Sequence, residues 1–378
     1  MEFTCKTEEF HRALQTVQRT CGQRRTMPVL SHIYLECSSE GLRMVSTDLT
    51  VSTFYKMPAS VIEEGKVTFP GRLLSEIVST LLWLPEEELK IESDQGHLRL
   101  VCGKADYHLN TIPVEEFPSL TDPEYDIEFT MQGVMFKEMV KQVLFAVSDD
   151  ESKPGLCGVY MELSGSNLKI VATDTRRLAL RNTTLSSTIA SEQQFIVPSK
   201  ALVELARLPL DGDIHIKLSE KQISFTVDHI RMVSQLVEAK FPDYTQVIPS
   251  EHRIRTKIDA FDLSNNIRGI VPLARESSNT IRFEFTGNRL RLSSVASSVG
   301  EVVREMAVEN EGGDLEIGFN VRFVLDVLNN LLSEKVVMEL TEPLRQAVFR
   351  PEENEDYLCV VMPIRLAANS PMIEEAAG

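Results

Sequence analysis

The strongest constraint on this chain is that it is one unit written three times. Glu2-Phe3-Thr4 recurs as Glu128-Phe129-Thr130, an offset of 126, and the same register aligns Phe10 with Phe136, Val17 with Val143 and Pro28 with Pro154. It continues without a gap through Leu30 and Leu156, Tyr34 and Tyr160, Glu36 and Glu162, Leu42 and Leu168, Val45 and Val171, to Thr47-Asp48 and Thr173-Asp174. Phe117-Pro118 then matches Phe241-Pro242 at an offset of 124. A fainter third copy puts Phe261 in the place of Phe136, Phe285 in that of Tyr160, and Leu290-Arg-Leu-Ser-Ser in that of Leu168-Lys-Ile-Val-Ala. At 378 residues the chain exceeds what one core can fill, since single cores stop growing near roughly 250 residues. Three domains are expected, over 1–122, 123–251 and 252–366, followed by an acidic tail, 367–378, read as disordered.

Inside each copy, apolar residues at i, i+3, i+4 and i+7 predict two helices. Their starts fall near 7, 71, 134, 198, 260 and 320, one helix every 60 to 64 residues. The first-type helices carry Phe10, Ala13, Leu14 and Val17; Phe136, Met139, Val140 and Val143; and Phe261, Ile267, Ile270 and Val271. Between helices, apolar and polar residues alternate, as in His32-Ile-Tyr-Leu-Glu-Cys and Ile281-Arg-Phe-Glu-Phe, which predicts strands with one solvated face. Turn signals such as Ser39-Glu-Gly and Gly165-Ser-Asn favour hairpins over parallel crossovers. The fold class is therefore α+β, repeated, with antiparallel sheets.

The residues that could do chemistry are scattered. No Gly-x-x-x-x-Gly-Lys-[Ser/Thr], Gly-x-Gly-x-x-Gly, Gly-x-Ser-x-Gly or His-Glu-x-x-His occurs. The seven histidines stand singly, away from zinc-binding spacings, and the six cysteines form no Cys-x-x-Cys pair and read as reduced thiols. No metal, cofactor or catalytic role is expected. Asp174 lies beside Arg176 and Arg177, yet its repeat partner Asp48 holds the same turn, so a structural role is favoured over a catalytic one. The N-terminus lacks a basic-then-apolar leader and no run reaches the span of a membrane helix, so a cytoplasmic protein is expected.

A net charge of -17 argues against ordinary nucleic-acid binding, which uses a basic excess to displace counterions. The cations are nonetheless placed on the helices. Arg24 and Arg25 follow the first, Arg72 opens the second, Lys137 and Lys141 share a face of the third at i and i+4, and Lys200 and Arg207 lie on the fourth, with Arg268 and Arg322 on the last two. On one helix this is a solvated face. On six helices related by a repeat, a ring would turn all of them to one centre, and a weakly basic lining inside an acidic shell would let duplex DNA slide.

The motifs Thr26-Met-Pro-Val-Leu, Val171-Ala-Thr-Asp-Thr-Arg-Arg-Leu-Ala, Phe241-Pro-Asp-Tyr, Ile317-Gly-Phe-Asn-Val-Arg-Phe-Val-Leu-Asp-Val-Leu and Val361-Met-Pro-Ile-Arg-Leu carry a resemblance. Up to Leu366 the chain resembles the β subunit of bacterial DNA polymerase III, the sliding clamp. The resemblance implies a DNA clamp fold of three repeated domains, closed as a head-to-tail homodimer ring around duplex DNA without sequence specificity. It implies a non-catalytic processivity factor whose partners are the polymerase catalytic subunit, the clamp loader, and other polymerases and repair proteins, with no membrane involved. Short linear peptides of those partners would enter a hydrophobic pocket matched here by Leu156, Thr173, Arg177, Leu178, Pro242, Val247, Val360, Met362 and Ile364, flanked by Asn320, Phe323, Leu344 and Arg365. DNA contact would fall to Arg24, Arg72, Lys137, Lys141, Lys200 and Arg207. The dimer interface would pair Tyr107 and Leu109 with Pro272 and Leu273, although Leu109 and Leu273 also suit an ordinary core.

The chain departs from the family at Thr175-Arg176, where Gly-His is common, at Gln246, where a basic residue is common, and in the loop Asp149 to Gly155. A scaffold of the same fold that does not encircle DNA is the competing reading. A hydrolase built on Asp174 has no motif behind it.

Overall fold

The computed structural model describes residues 1–22, 26–83, 88–94, 96–120 and 123–366; Arg24, Arg25 and the tail 367–378 lie outside them. Six α-helices occur among the described residues: α1 (Thr7–Val17), α2 (Gly71–Ser79), α3 (Gly133–Leu144), α4 (Ser199–Ala206), α5 (Ala260–Ala274) and α6 (Val321–Asn330). Each follows a strand directly. Glu2–Lys6, Gly65–Pro70, Ile127–Gln132, Arg177–Pro198, Ile254–Asp259 and Leu315–Asn320 run straight into the six helices in turn.

The sequence supplies a local reason for those sharp transitions. Pro70 and Pro198 stand just before α2 and α4 with φ of -63° and -53°, values the proline ring imposes. Asp259 and Asn320 cap α5 and α6, their side chains accepting hydrogen bonds from the N–H groups of Asp262 at 2.8 Å and Arg322 at 3.0 Å.

In the third copy the predicted register was wrong. Phe261 does not take the buried place of Phe136; it is 73% exposed, whereas Phe136 is 1% exposed. Ala260, Leu263, Ile267, Ile270 and Ala274 form the buried stripe of α5 instead. Leu263 has the helical spacing to Ile267 and Ile270 that Phe261 lacks, so the aromatic ring is left in solvent.

By contact the chain divides into two compact units, 1–140 with 163–166 and 185–238, and 141–162 with 167–184 and 239–378. The first unit contains a five-stranded sheet and an eight-stranded one. The eight-stranded sheet crosses the repeat: Ile230–Gln235 of the second copy pairs antiparallel with Val51–Met57 of the first, Met232 opposite Thr53. In the second unit Arg177–Arg181 likewise pairs with Tyr357–Val361, Leu178 opposite Val360, within a seven-stranded sheet, beside a four-stranded one. The sequence copies and the packing units are therefore different divisions of the chain.

Helices α1 and α2 pack together over the first sheets, burying Phe3, Phe10, Leu14, Phe69 and Leu74, and α5 packs on α6 in the second unit. Cys5, Cys37, Cys102 and Cys359 are buried, and all six cysteines are free. Burial pushes the Cys21 and Cys359 thiols up to about 12, which keeps them protonated and unreactive.

Candidate functional site

The segment 173–178 is a turn held by its own side chains. Asp174 Oδ1 accepts hydrogen bonds from the N–H groups of Arg176 at 2.8 Å and Arg177 at 2.9 Å, while Thr173 Oγ1 accepts from Thr175 N–H at 3.1 Å. The first copy repeats the device: Asp48 Oδ1 accepts from Thr50 and Val51, and Thr47 Oγ1 from Leu49. Asp174 is thus occupied as a turn builder. Thr175 and Leu49 both sit at φ 76°, in the left-handed region that residues other than glycine enter only uncommonly and β-branched ones such as threonine least of all.

The turn delivers Arg177 inward. Its Nε lies 3.0 Å from Asp174 Oδ2 and its Nη1 bonds Asp326 of α6. The guanidinium lies over the rings of Phe323 and Phe145, at 4.6 Å and 5.4 Å from their centroids. The opposite wall is the Phe241-Pro-Asp-Tyr motif. Asp243 caps the short turn Tyr244–Val247, accepting from Thr245 N–H at 3.1 Å, and Tyr244 donates its hydroxyl proton to Glu162 at 2.8 Å. Phe241 stacks flat on Tyr160 at 4.6 Å. Burial, reinforced by the Glu162 charge, pushes the Tyr160 hydroxyl up to about 12. The third wall is the end of the strand Tyr357–Val361, extended by Met362, whose N–H bonds Arg176 O at 2.8 Å.

These walls enclose a cavity of about 160 Å³. That is close to the roughly 150 Å³ known to hold a benzene ring, so one apolar side chain fits. Of the residues expected to form a pocket, Thr173, Arg177, Leu178, Pro242, Val247, Val360 and Met362 line this cavity. Leu156 and Ile364, expected on the walls, do not, and neither do Asn320, Phe323, Leu344 and Arg365, which were expected only to flank it. Leu156 is buried, Asn320 caps α6, Phe323 lies beneath Arg177, and Leu344 is exposed. Ile364 bonds Gly318 at 2.8 Å through its backbone, and Arg365 is exposed. Thr175, Asp243 and Tyr244 also line the cavity and were not predicted. Asp243 and Tyr244 were within reach, because they belong to the motif that supplied Pro242. Val247 and Met362, each 38% exposed, are apolar groups at the opening.

The helix cations are mostly occupied. Lys200 Nζ bonds Asp48, Arg207 Nη1 lies 2.7 Å from Glu204, and Arg72 Nε lies 2.9 Å from Glu76. Lys137 Nζ donates to Leu208 O at 2.7 Å, while Lys141 is exposed. Tyr107 and Leu109 are half-buried on Ala105–Asn110, the edge strand of the five-stranded sheet; Pro272 is exposed and Leu273 half-buried on α5. Among the described residues no cluster could hold a metal ion, and no helix is long and apolar enough to cross a membrane.

Solved structures share this architecture over nearly all of the chain. The DNA polymerase III β subunit of Thermotoga maritima is 28% identical with a TM-score of 0.91, the alignment covering 97% of this chain and 100% of that one. The sliding clamp of Pseudomonas aeruginosa bound to griselimycin is 30% identical with a TM-score of 0.93 over the same shares. The strand-helix repeats and antiparallel sheets are thus those of a DNA clamp. The beta sliding clamp of Pseudomonas aeruginosa is 31% identical over 370 residues, 97% of this chain and 100% of that protein. Models of the N-terminal, central and C-terminal domains of the DNA polymerase III beta subunit match residues 1–121, 130–243 and 245–365, and the chain belongs to that family.

Proposed function

We propose that this chain is a sliding clamp that pairs head to tail with a second copy into a ring around duplex DNA, and tethers the replicative polymerase there. The clamp loader, other polymerases and repair proteins would take turns at the same cavity, through linear peptides that bury an apolar side chain between Leu178, Val360 and Met362. The cavity carries this reading, because Leu178, Pro242, Val247, Val360 and Met362 give it apolar walls of a size that takes one apolar side chain. The protein works without catalysis or cofactor, in the cytoplasm. Tyr107 and Leu109 of one copy meet Pro272 and Leu273 of the other; an exposed proline and an unpaired edge strand are what such an interface would cover. Lys141 is the first candidate for phosphate contact, because Lys200 and Arg207 must release carboxylates before touching DNA.

Loading onto nicked circular DNA followed by linearisation tests the ring: retained protein should fall off, and retention after linearisation would leave a scaffold that does not encircle DNA. Met362→Ala with Leu178→Ala tests the cavity. Polymerase-peptide affinity should drop at least about tenfold with the dimer intact, since two large-to-small changes at a buried anchor cost several kcal/mol. Unchanged affinity would remove the assignment.

A further inference from the structure

The strand that ends at the cavity also fixes where the chain goes next. Met362 still belongs to the ladder, its N–H bonding Arg176 O at 2.8 Å, but Pro363 has no N–H to continue it. The chain turns instead to the four-stranded sheet, where Ile364 N–H bonds Gly318 O at 2.8 Å. A Cβ at Gly318 would come within 2.6 Å of Leu366 Cδ2 and 2.8 Å of Ile364 O, so only glycine lets Leu366 seat there. Leu366 is thereby held in the second unit, four residues beyond Met362 and at most about 14 Å from it.

Two guanidinium groups belong to this stretch of backbone. Arg176, across from Met362, and Arg365, three residues after it, are exposed, and neither side chain has an ion pair or hydrogen bond among the described residues. The carboxylates of the cavity walls are already engaged. Asp174 accepts from the N–H groups of Arg176 and Arg177, and Asp326 holds Arg177. Asp243 accepts from Thr245 at 3.1 Å and from Gln246 at 2.8 Å. Beyond Leu366 the sequence continues Ala-Ala-Asn-Ser-Pro-Met-Ile-Glu-Glu, without lysine or arginine. Its large apolar residues, Met372 and Ile373, stand directly before Glu374 and Glu375. Met372 is six residues past Leu366, a reach of up to about 20 Å, and Asn369-Ser-Pro between them supplies turn-forming residue types.

We propose that the cavity is also the docking site of this chain's own segment 371–375, a tethered competitor that a partner peptide must displace. Met372 or Ile373 enters between Leu178, Val360 and Met362, and Glu374 and Glu375 meet Arg176 and Arg365. The inference rests on the reading of the cavity as a peptide site. Reach, anchor and charge all favour the tethered segment, and the tether makes a weak contact sufficient. A short linker presents its anchor at an effective concentration on the order of 1 mM. A free-peptide Kd of about 0.25 mM would then leave the cavity open about one fifth of the time, and partner affinity would fall about fivefold.

The test is fluorescence anisotropy with a fluorescein-labelled peptide, Asn-Ser-Pro-Met-Ile-Glu-Glu, on the full chain and on a chain shortened to end at Leu366, which keeps every described residue. The shortened chain should bind the probe about fivefold more tightly. Met372→Ser with Ile373→Ser in the full chain should release the cavity as fully as shortening does. Glu374→Lys with Glu375→Lys should release part of it, the difference shrinking as salt is raised. Probe binding to the shortened chain should be lost in Met362→Ala with Leu178→Ala. Equal affinity for full and shortened chains, no release in the Met372 and Ile373 variant, or probe binding indifferent to Met362 and Leu178 would each overturn the proposal. So would a difference that grows with protein concentration, which would assign the contact to another copy's segment. A polymerase peptide on the same chains separates the two readings. If it binds at the cavity equally in full and shortened chains, the competitor is wrong and the partner site stands. If shortening releases the probe while the polymerase peptide ignores Met362→Ala with Leu178→Ala, the partner site is wrong and the competitor stands.

Discussion

Thr175 holds a β-branched side chain at φ 76° on the wall of the cavity, where glycine would sit without strain. A residue in that region costs about 1 to 3 kcal/mol, and strain of this kind is retained where the surroundings over-determine it. Thr175→Gly should therefore stabilise the protein by about 1 kcal/mol, net of the added chain entropy. A rise of about 2 to 4 °C in the calorimetric midpoint would show it, and a fall would mean that the threonine contacts outweigh the strain. No residue-level rule reads φ 76° from a threonine in the sequence. What was legible was Asp174: its match to Asp48 pointed to a turn builder, and both carboxylates do accept two backbone N–H groups.

At the scale of the element, the helix starts expected near 7, 71, 134, 198, 260 and 320 lie within one residue of those found. Periodicity, prolines and capping side chains act over a few residues, so they survive in the sequence. The face of α5 did not survive, because Phe261 and Leu263 are both apolar and only packing chooses between them. Leu263→Ala should cost about 2 to 4 kcal/mol and Phe261→Ser stay within about 0.5 kcal/mol, measured by urea unfolding. The turn at Asp48 and helix α4 are joined by an ion pair with a pH signature. Burial raises the Asp48 carboxyl, but Lys200 with the N–H groups of Val51 and Thr50 more than reverses this, leaving it below its ordinary value. A depressed carboxylate contributes stability above its unfolded pKa, about 3.9, and loses it as pH falls through the folded value. The stability difference between wild type and Lys200→Met should accordingly be present at pH 7 and shrink below about pH 4. A gap that is constant down to pH 3 would mean that Lys200 acts by packing alone.

For the molecule as a whole, light scattering should give twice the chain mass, and Leu109→Ala with Leu273→Ala should reduce it to the mass of one chain without loss of secondary structure. A monomeric wild type would remove the ring. The repeat, the α+β class and the strand-helix order were determined by the sequence alone, since the last two rest on patterns of a few residues and the repeat on residue identities recurring at a fixed offset. The tertiary structure decided what depends on distant segments meeting. It joined Val51–Met57 to Ile230–Gln235 in one sheet, and so placed Arg231 over Phe54. It built the cavity from 173–178, 242–247 and 360–362, and left Leu156 and Ile364, two of the nine residues expected on its walls, off them. It also set Lys200 on Asp48 and Arg207 on Glu204, so that cations read as a free lining are partly spent inside the protein. Pairing across more than a hundred residues is a matter of packing free energy, which no local pattern encodes.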